Sequence, residues 1–190
     1  MRKVVFVLGA MLCMTMTAAA QEVLAPKAEV FGGYSLVRSG GANLHGWNAS
    51  VAGNVNDWFG VVGDFSGNYN SQSLSLLGLS TSASTSIYAY TFGPQVSYRR
   101  NETFVPFARA LFGGARMSVD STTTLPGLPA VTVSQSANGF ASNIGGGLDW
   151  AASPKLSIRL IQADMMLLRS SGNTASDPRL SFGVVFKVNR

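Results

Sequence analysis

The chain has 190 residues, 46% of them hydrophobic and 12% charged, with 21 glycines, one cysteine and a formal net charge of +5. Charge at about half the ~25% of soluble proteins excludes intrinsic disorder, the absence of a glycine period excludes collagen, and one cysteine excludes a disulfide scaffold. The mean hydropathy of +0.21 points to a membrane, yet no apolar run reaches the ~20 residues of a spanning helix.

Arg2 and Lys3 precede an apolar run from Val4 to about Met16, and Ala18, Ala19 and Ala20 stand before Gln21. This order predicts a cleavable signal peptide over residues 1–20, with a buried N-terminal helix as the weaker alternative. Cys13 follows Leu12 rather than the small residue that lipoprotein cleavage requires, so lipid attachment is rejected. Cleavage after Ala20 leaves no cysteine, which removes thiolate metal sites, cysteine nucleophiles and disulfides. Loss of Arg2 and Lys3 lowers the formal charge from +5 to +3. The remaining basic residues are scattered apart from Arg99-Arg100, so nucleic-acid binding is disfavoured.

From Lys27 onward, apolar residues alternate with period two and no helical stripe appears. Strands are predicted at about 28–38, 44–55, 58–69, 84–99, 103–118, 136–150, 155–168 and 179–188. Each meets the ~9–11 residues of a tilted membrane strand. Asn56-Asp57, Arg100-Asn101-Glu102 and Ala151-Ala152-Ser153-Pro154 are predicted tight turns, and 39–43 is a short connection. Residues 70–83, 119–135 and 169–178, rich in Ser, Thr, Gly, Asn and Pro, are expected to be longer loops. Short turns at one end and longer loops at the other match the periplasmic and extracellular ends of outer-membrane barrels. The expected architecture is all-β: one eight-stranded, antiparallel, up-and-down transmembrane β-barrel over residues 21–190, with both termini in the periplasm.

The composition of the two strand faces separates a membrane barrel from a soluble sandwich, which alternates equally well. One face carries Trp47, Val51, Phe59, Val61, Phe65, Tyr88, Tyr90, Phe92, Phe182 and Phe186. The other carries mostly Gly, Ser, Asn and Ala, as in Gly46, Asn48, Ser50, Ser66, Asn68, Ser181 and Gly183. A water-facing sheet is normally stocked with Lys, Glu and Arg, whereas small residues suit the crowded interior of a narrow barrel. Trp58, Tyr98 and Trp150 fall near the tight turns, and Trp47 and Tyr69 near the other strand ends, as two aromatic girdles would. Pro94 removes a ladder donor, so Gly93-Pro94 is expected at a bulge or near the rim.

Phe31-Gly32-Gly33-Tyr34-Ser35-Leu36, Gly60-Val61-Val62-Gly63-Asp64-Phe65, Gly145-Gly146-Gly147-Leu148-Asp149 and Arg159-Leu160-Ile161-Gln162-Ala163-Asp164 occur in this order along the chain. In these segments the chain resembles the small OmpA-like outer-membrane β-barrels. The resemblance implies a cell outer-membrane location, outer-membrane lipid and lipopolysaccharide as neighbours, and the barrel-assembly machinery as a partner. The last strand is similar to the signal that this machinery reads, with Ser181, Gly183, Phe186 and Val188 at its polar, glycine and hydrophobic positions. Members commonly end on an aromatic, whereas here Val188 holds that place and Asn189-Arg190 follow. No peptidoglycan-binding domain is carried over.

His45 is the only histidine. No carboxylate is positioned beside it by sequence, so a structural role at the rim is expected over a lipid A-modifying triad. Metal sites and cofactors are not expected. Asp64, Arg109, Asp149, Arg159 and Asp164 are the charges expected within strands, and paired they would plug the lumen. Lining a narrow pore is the alternative. Arg159 and Asp164 have opposite parity, so one faces lipid unless a bulge intervenes or one lies at the headgroups. The expected function is non-enzymatic and structural or surface-interacting, through adhesion or recognition by an unidentified surface ligand. The alternatives, in order, are a low-conductance porin-like channel, an enzyme using His45, and a secreted soluble barrel for an apolar ligand.

Overall fold

A computed structural model describes residues 25–76, 79–101, 103–124, 129–170 and 173–188; the expected signal peptide lies outside them. Eight strands follow in order: β1 (Ala28–Ser39), β2 (Ala42–Asn54), β3 (Phe59–Leu76), β4 (Leu79–Ser97), β5 (Phe104–Thr124), β6 (Val131–Ser153), β7 (Leu156–Ser170) and β8 (Asn173–Val188). Each pairs antiparallel with the next, and β8 closes on β1 from Ala28↔Val188 to Val37↔Arg179. Closure supplies the backbone partners that hydrocarbon cannot.

The period-two pattern appears directly in exposure. On β3, Val62, Asp64, Ser66 and Asn68 are buried in the lumen, while Val61, Phe65 and Tyr69 are exposed outside. On β8, Ser181 and Val185 are buried and Leu180, Phe182 and Phe186 are exposed. Bulky apolar groups outside and small or polar groups inside are what lipid around a narrow, filled barrel requires.

One end of the barrel holds the β2–β3, β4–β5 and β6–β7 turns together with the start of β1 and the end of β8. Two of these turns share a local device. Asn56 Oδ1 accepts from the backbone N–H of Trp58 (3.1 Å) and Phe59 (2.7 Å), and Asn101 Oδ1 accepts from Thr103 (2.8 Å) and Phe104 (3.2 Å). Such Asx turns reverse the chain in few residues. The third turn is tighter than predicted, because β6 continues through Ser153 and leaves Pro154-Lys155. At the opposite end, Gly40 and Gly41 join β1 to β2 with φ of 56° and 85°. Two successive positive φ values make a two-residue hairpin whose twist matches its strands.

The three expected long loops need correction. β3 and β4 stay paired up to Leu76↔Leu79, β5 and β6 up to Thr123↔Val131, and β7 and β8 up to Ser170↔Asn173. In β6 the apolar alternation is lost where residues 131–138 are exposed at every position, but Ser, Thr and Val still favour extended pairing. Gly93-Pro94 also departs from one expectation. Phe92↔Phe112 and Gln95↔Arg109 enclose equal numbers of residues, so the ladder lapses without a bulge. Pro94 sits three residues from the end of β4, close to the rim.

Candidate functional site

The lumen contains a continuous polar network built from six strands. Arg179 of β8 donates through Nη1 to Asp64 Oδ1 (3.1 Å) and Ser66 Oγ (3.1 Å), and through Nη2 to Asp164 Oδ2 (2.8 Å). Arg109 of β5 uses Nη2 on both Asp164 Oδ2 (2.8 Å) and Asp64 Oδ2 (3.0 Å). All four side chains are fully buried, so two guanidinium groups and two carboxylates cancel away from water. Asn48 Nδ2 donates to Asp64 Oδ2 (2.9 Å), while Gln162 Nε2 donates to Asp164 Oδ2 (2.8 Å) and Asn48 Oδ1 (3.2 Å). Gln162 Oε1 then accepts from Arg159 Nη1 (2.6 Å).

Arg159 extends the network to Asp149, bonding it through Nε (2.8 Å) and Nη2 (2.9 Å). Its guanidinium lies between the Phe31 and Phe107 rings, 4.4 and 4.2 Å from their centres. Apolar stacking on both faces and carboxylate at the edge suit the planar cation. A bulge resolves the parity conflict of Arg159 and Asp164. Across β8, Arg159↔Gly183 is followed by Gln162↔Ser181, so two residues of β7 oppose Phe182 alone. Leu160 and Ile161 both face outward there, and Arg159, Gln162 and Asp164 all point inward.

Further residues fill the lumen on either side. Towards the turn end, Arg99 pairs with Glu29 (3.0 Å) and donates to the Asp57 carbonyl (2.9 Å). Towards the hairpin end, Val37, Leu44, Ile87, Ala89, Ala115, Ala141 and Met166 form a buried apolar cluster. The predicted Asp64, Arg109, Asp149, Arg159 and Asp164 thus lie in one connected network. Arg179 was missed because it stood next to an expected loop. Its parity with Ser181 and Gly183 was the available signal.

Among the predicted assembly-signal residues, Ser181 is buried and Gly183 shares its inward face, while Phe186 and Val188 face outward. Of the predicted girdle, Trp58, Tyr98 and Trp150 are exposed at the turn end, and Trp47 and Tyr69 are exposed towards the hairpin end. Trp47 Nε1 donates to the Tyr69 hydroxyl (3.4 Å), which donates to that of Tyr88 (3.2 Å). A Cβ at Gly67 would fall 2.8 Å from Trp47 Nε1, so glycine leaves the indole its place. His45 meets the Tyr34 hydroxyl through Nδ1. This contact supplies no carboxylate to orient a catalytic base.

Beyond the aromatic belt, one side of the barrel continues as a free-standing wall. β5 and β6 have 21 and 23 residues, against 12 and 13 in β1 and β2. Only ~9–11 tilted residues are needed to cross the hydrocarbon. Pairing of β2 with β3 stops at His45↔Tyr69, and pairing of β6 with β7 starts at Phe140↔Arg169. Among the described residues, 71–76 of β3 and 131–137 of β6 therefore have a paired strand on one side only. Residues 131–138 are exposed at every position, so β6 meets solvent on both faces.

The barrel closure, inverted faces and aromatic ends agree with comparisons to known proteins. The model of the outer membrane protein beta-barrel domain family matches residues 5–187. The chain belongs to this family. It is an outer-membrane protein. Among solved structures, the family barrel is similar to Ail, the attachment invasion locus protein of Yersinia pestis, with 22% identity and a TM-score of 0.58. That match covers 86% of this chain and all of Ail. A second similarity is to OprG of Pseudomonas aeruginosa, at 11% identity and a TM-score of 0.51, covering 87% of this chain and 97% of OprG. These likenesses concern the fold. No curated protein sequence matched the chain.

Proposed function

We propose that this outer-membrane barrel is a non-enzymatic surface-interaction protein that acts through its projecting wall. The observation carrying this reading is the continuation of β3, β4, β5 and β6 as paired strands beyond the level of Trp47, Tyr69 and Tyr88. Short turns face the periplasm in this class of barrel, so the wall faces outward from the cell. Outer-membrane lipid and lipopolysaccharide surround the belts, and the barrel-assembly machinery reads the end of β8. The signal peptide over residues 1–20 directs export.

The wall is a rigid recognition surface, because backbone pairing rather than partner binding meets most of the ordering cost. Its side chains favour a partner that bonds through peptide groups and hydroxyls. Residues 70–76, 79–86, 117–124 and 131–138 contain one charge, Asp120. Ail has been solved with the heparin analogue sucrose octasulfate. Arg116, across from Asn138 at the foot of the wall, is offset in number by Asp120, so a polyanion finds no cluster of cations there, and the proposed ligand class is protein rather than sulfated glycan. A channel role has less support, since side chains occupy the lumen from Glu29 to Met166.

The test shortens the wall by joining Asn70 to Thr85 and Val119 to Gln135, with a two-residue Asn-Gly turn at each junction. Cells carrying the full chain are expected to bind immobilised extracellular-matrix proteins. Cells carrying the shortened chain should lose that binding while the barrel keeps its heat-modifiable migration. Equal binding by the two would overturn the reading.

A further inference from the structure

The two open margins of the wall belong to strands of opposite direction. β3 runs from the turn end outward and β6 runs back towards it, so residues 71–76 and 131–137 are antiparallel edges on opposite sides of one sheet. Open edges display unpaired N–H and C=O groups, and natural proteins blunt them with charge, proline, bulges or a covering element. Neither stretch has such a device. Ser71-Gln72-Ser73-Leu74-Ser75-Leu76 and Val131-Thr132-Val133-Ser134-Gln135-Ser136-Ala137 contain no charged residue and no proline. The β3–β4 and β5–β6 registers also run without a shift through these stretches. No described strand pairs along either edge.

We infer that neighbouring copies of this chain join above the membrane, with β6 of one pairing antiparallel to β3 of the next. The inference rests on the reading of the wall as the contact surface and adds a second copy of this chain as a partner at its edges. The aromatic belts hold every copy at one depth and one way up, which presents the two edges side by side with the direction antiparallel pairing needs. A β6 edge meeting another β6 edge under the same constraint would run parallel to it. The interface is therefore heterologous: each copy uses one edge on each side, and the contact repeats into a row rather than closing as a pair. Confinement of all copies to one membrane raises their effective concentration.

Cysteine cross-linking in the intact outer membrane tests this. Ser71, Gln72 or Ser73 is replaced by cysteine in one tagged copy, and Thr132, Val133 or Ser134 in a second, differently tagged copy. The unmodified chain serves as the blank, and Ser84→Cys inside the wall as the paired-strand control. Mixed copies are expected to give disulfide dimers that contain both tags, and the position scan reads their register. A copy carrying both Ser73→Cys and the best-reacting β6 cysteine should give a ladder of dimers, trimers and larger species. Adding Ser75→Lys and Gln135→Lys should return the ladder to the blank while heat-modifiable migration persists.

Monomers throughout, or dimers formed only between β6 and β6, would overturn the inference. So would cross-links of the β6 cysteine to a different outer-membrane protein in place of a second copy. Matrix binding measured on the same cells separates the two proposals. Retained binding with monomers would sink the pairing alone, whereas absent binding would sink the broader reading.

Discussion

Asp164 accepts hydrogen bonds from Arg109, Arg179 and Gln162, so its removal strands two guanidinium groups beside the single carboxylate of Asp64. Burial makes such a deletion expensive, because the remaining charge has no water to turn to. Asp164→Ala should cost about 3–5 kcal/mol, the usual range for breaking a buried pair. Reversible urea unfolding in lipid vesicles measures it, and a loss below about 1 kcal/mol would mean that water already reaches the network. Gly67 acts on the opposite face. Gly67→Val places methyl groups where Trp47 and Tyr69 meet and should destabilise by about 1–3 kcal/mol, as overpacking does. An unchanged urea midpoint would show that the indole has another place to go.

At the scale of elements, the bulge in β7 decides which side chains enter the lumen. Without the extra residue between Arg159 and Gln162, Arg159 would turn to lipid and leave Asp149 and both phenylalanine rings. Deletion of Leu160 should therefore abolish the heat-modifiable band, whereas Leu160→Ala, which keeps the residue count, should preserve it. Equal folding of the two variants would contradict the bulge's role. The alternation of Trp47, Ala49 and Val51 against Asn48, Ser50 and Ala52 made strand identity and facing legible in the sequence. The opposite parity of Arg159 and Asp164 also signalled that some irregularity had to exist. Where β3 to β6 end was not legible. The Ser- and Thr-rich residues 71–76, 79–84, 119–123 and 131–134 carry no facing signal, and their pairing depends on the neighbouring strand rather than on local pattern. Placing the start of β8 at Arg179 left that residue at a strand end, and its importance rests on contacts with Asp64 and Ser66, 115 and 113 positions away.

For the whole molecule, the barrel combines an occupied interior with a projecting wall. From the turn end inward come the Arg99–Glu29 pair, the Arg159 sandwich, the Asp64–Arg109–Asp164–Arg179 quartet and the apolar cluster around Met166. An ion crossing this path would have to part buried ion pairs and then pass an apolar layer, two barriers of different kinds. The proposal that the wall, and not the lumen, carries the function predicts a barrel that does not conduct. Single-channel recording of the purified barrel in a planar bilayer tests this most directly. The expected trace stays at baseline for the unmodified chain and shows openings only when Arg179→Ala and Met166→Ala are combined. Reproducible, ion-selective steps from the unmodified chain would contradict the account.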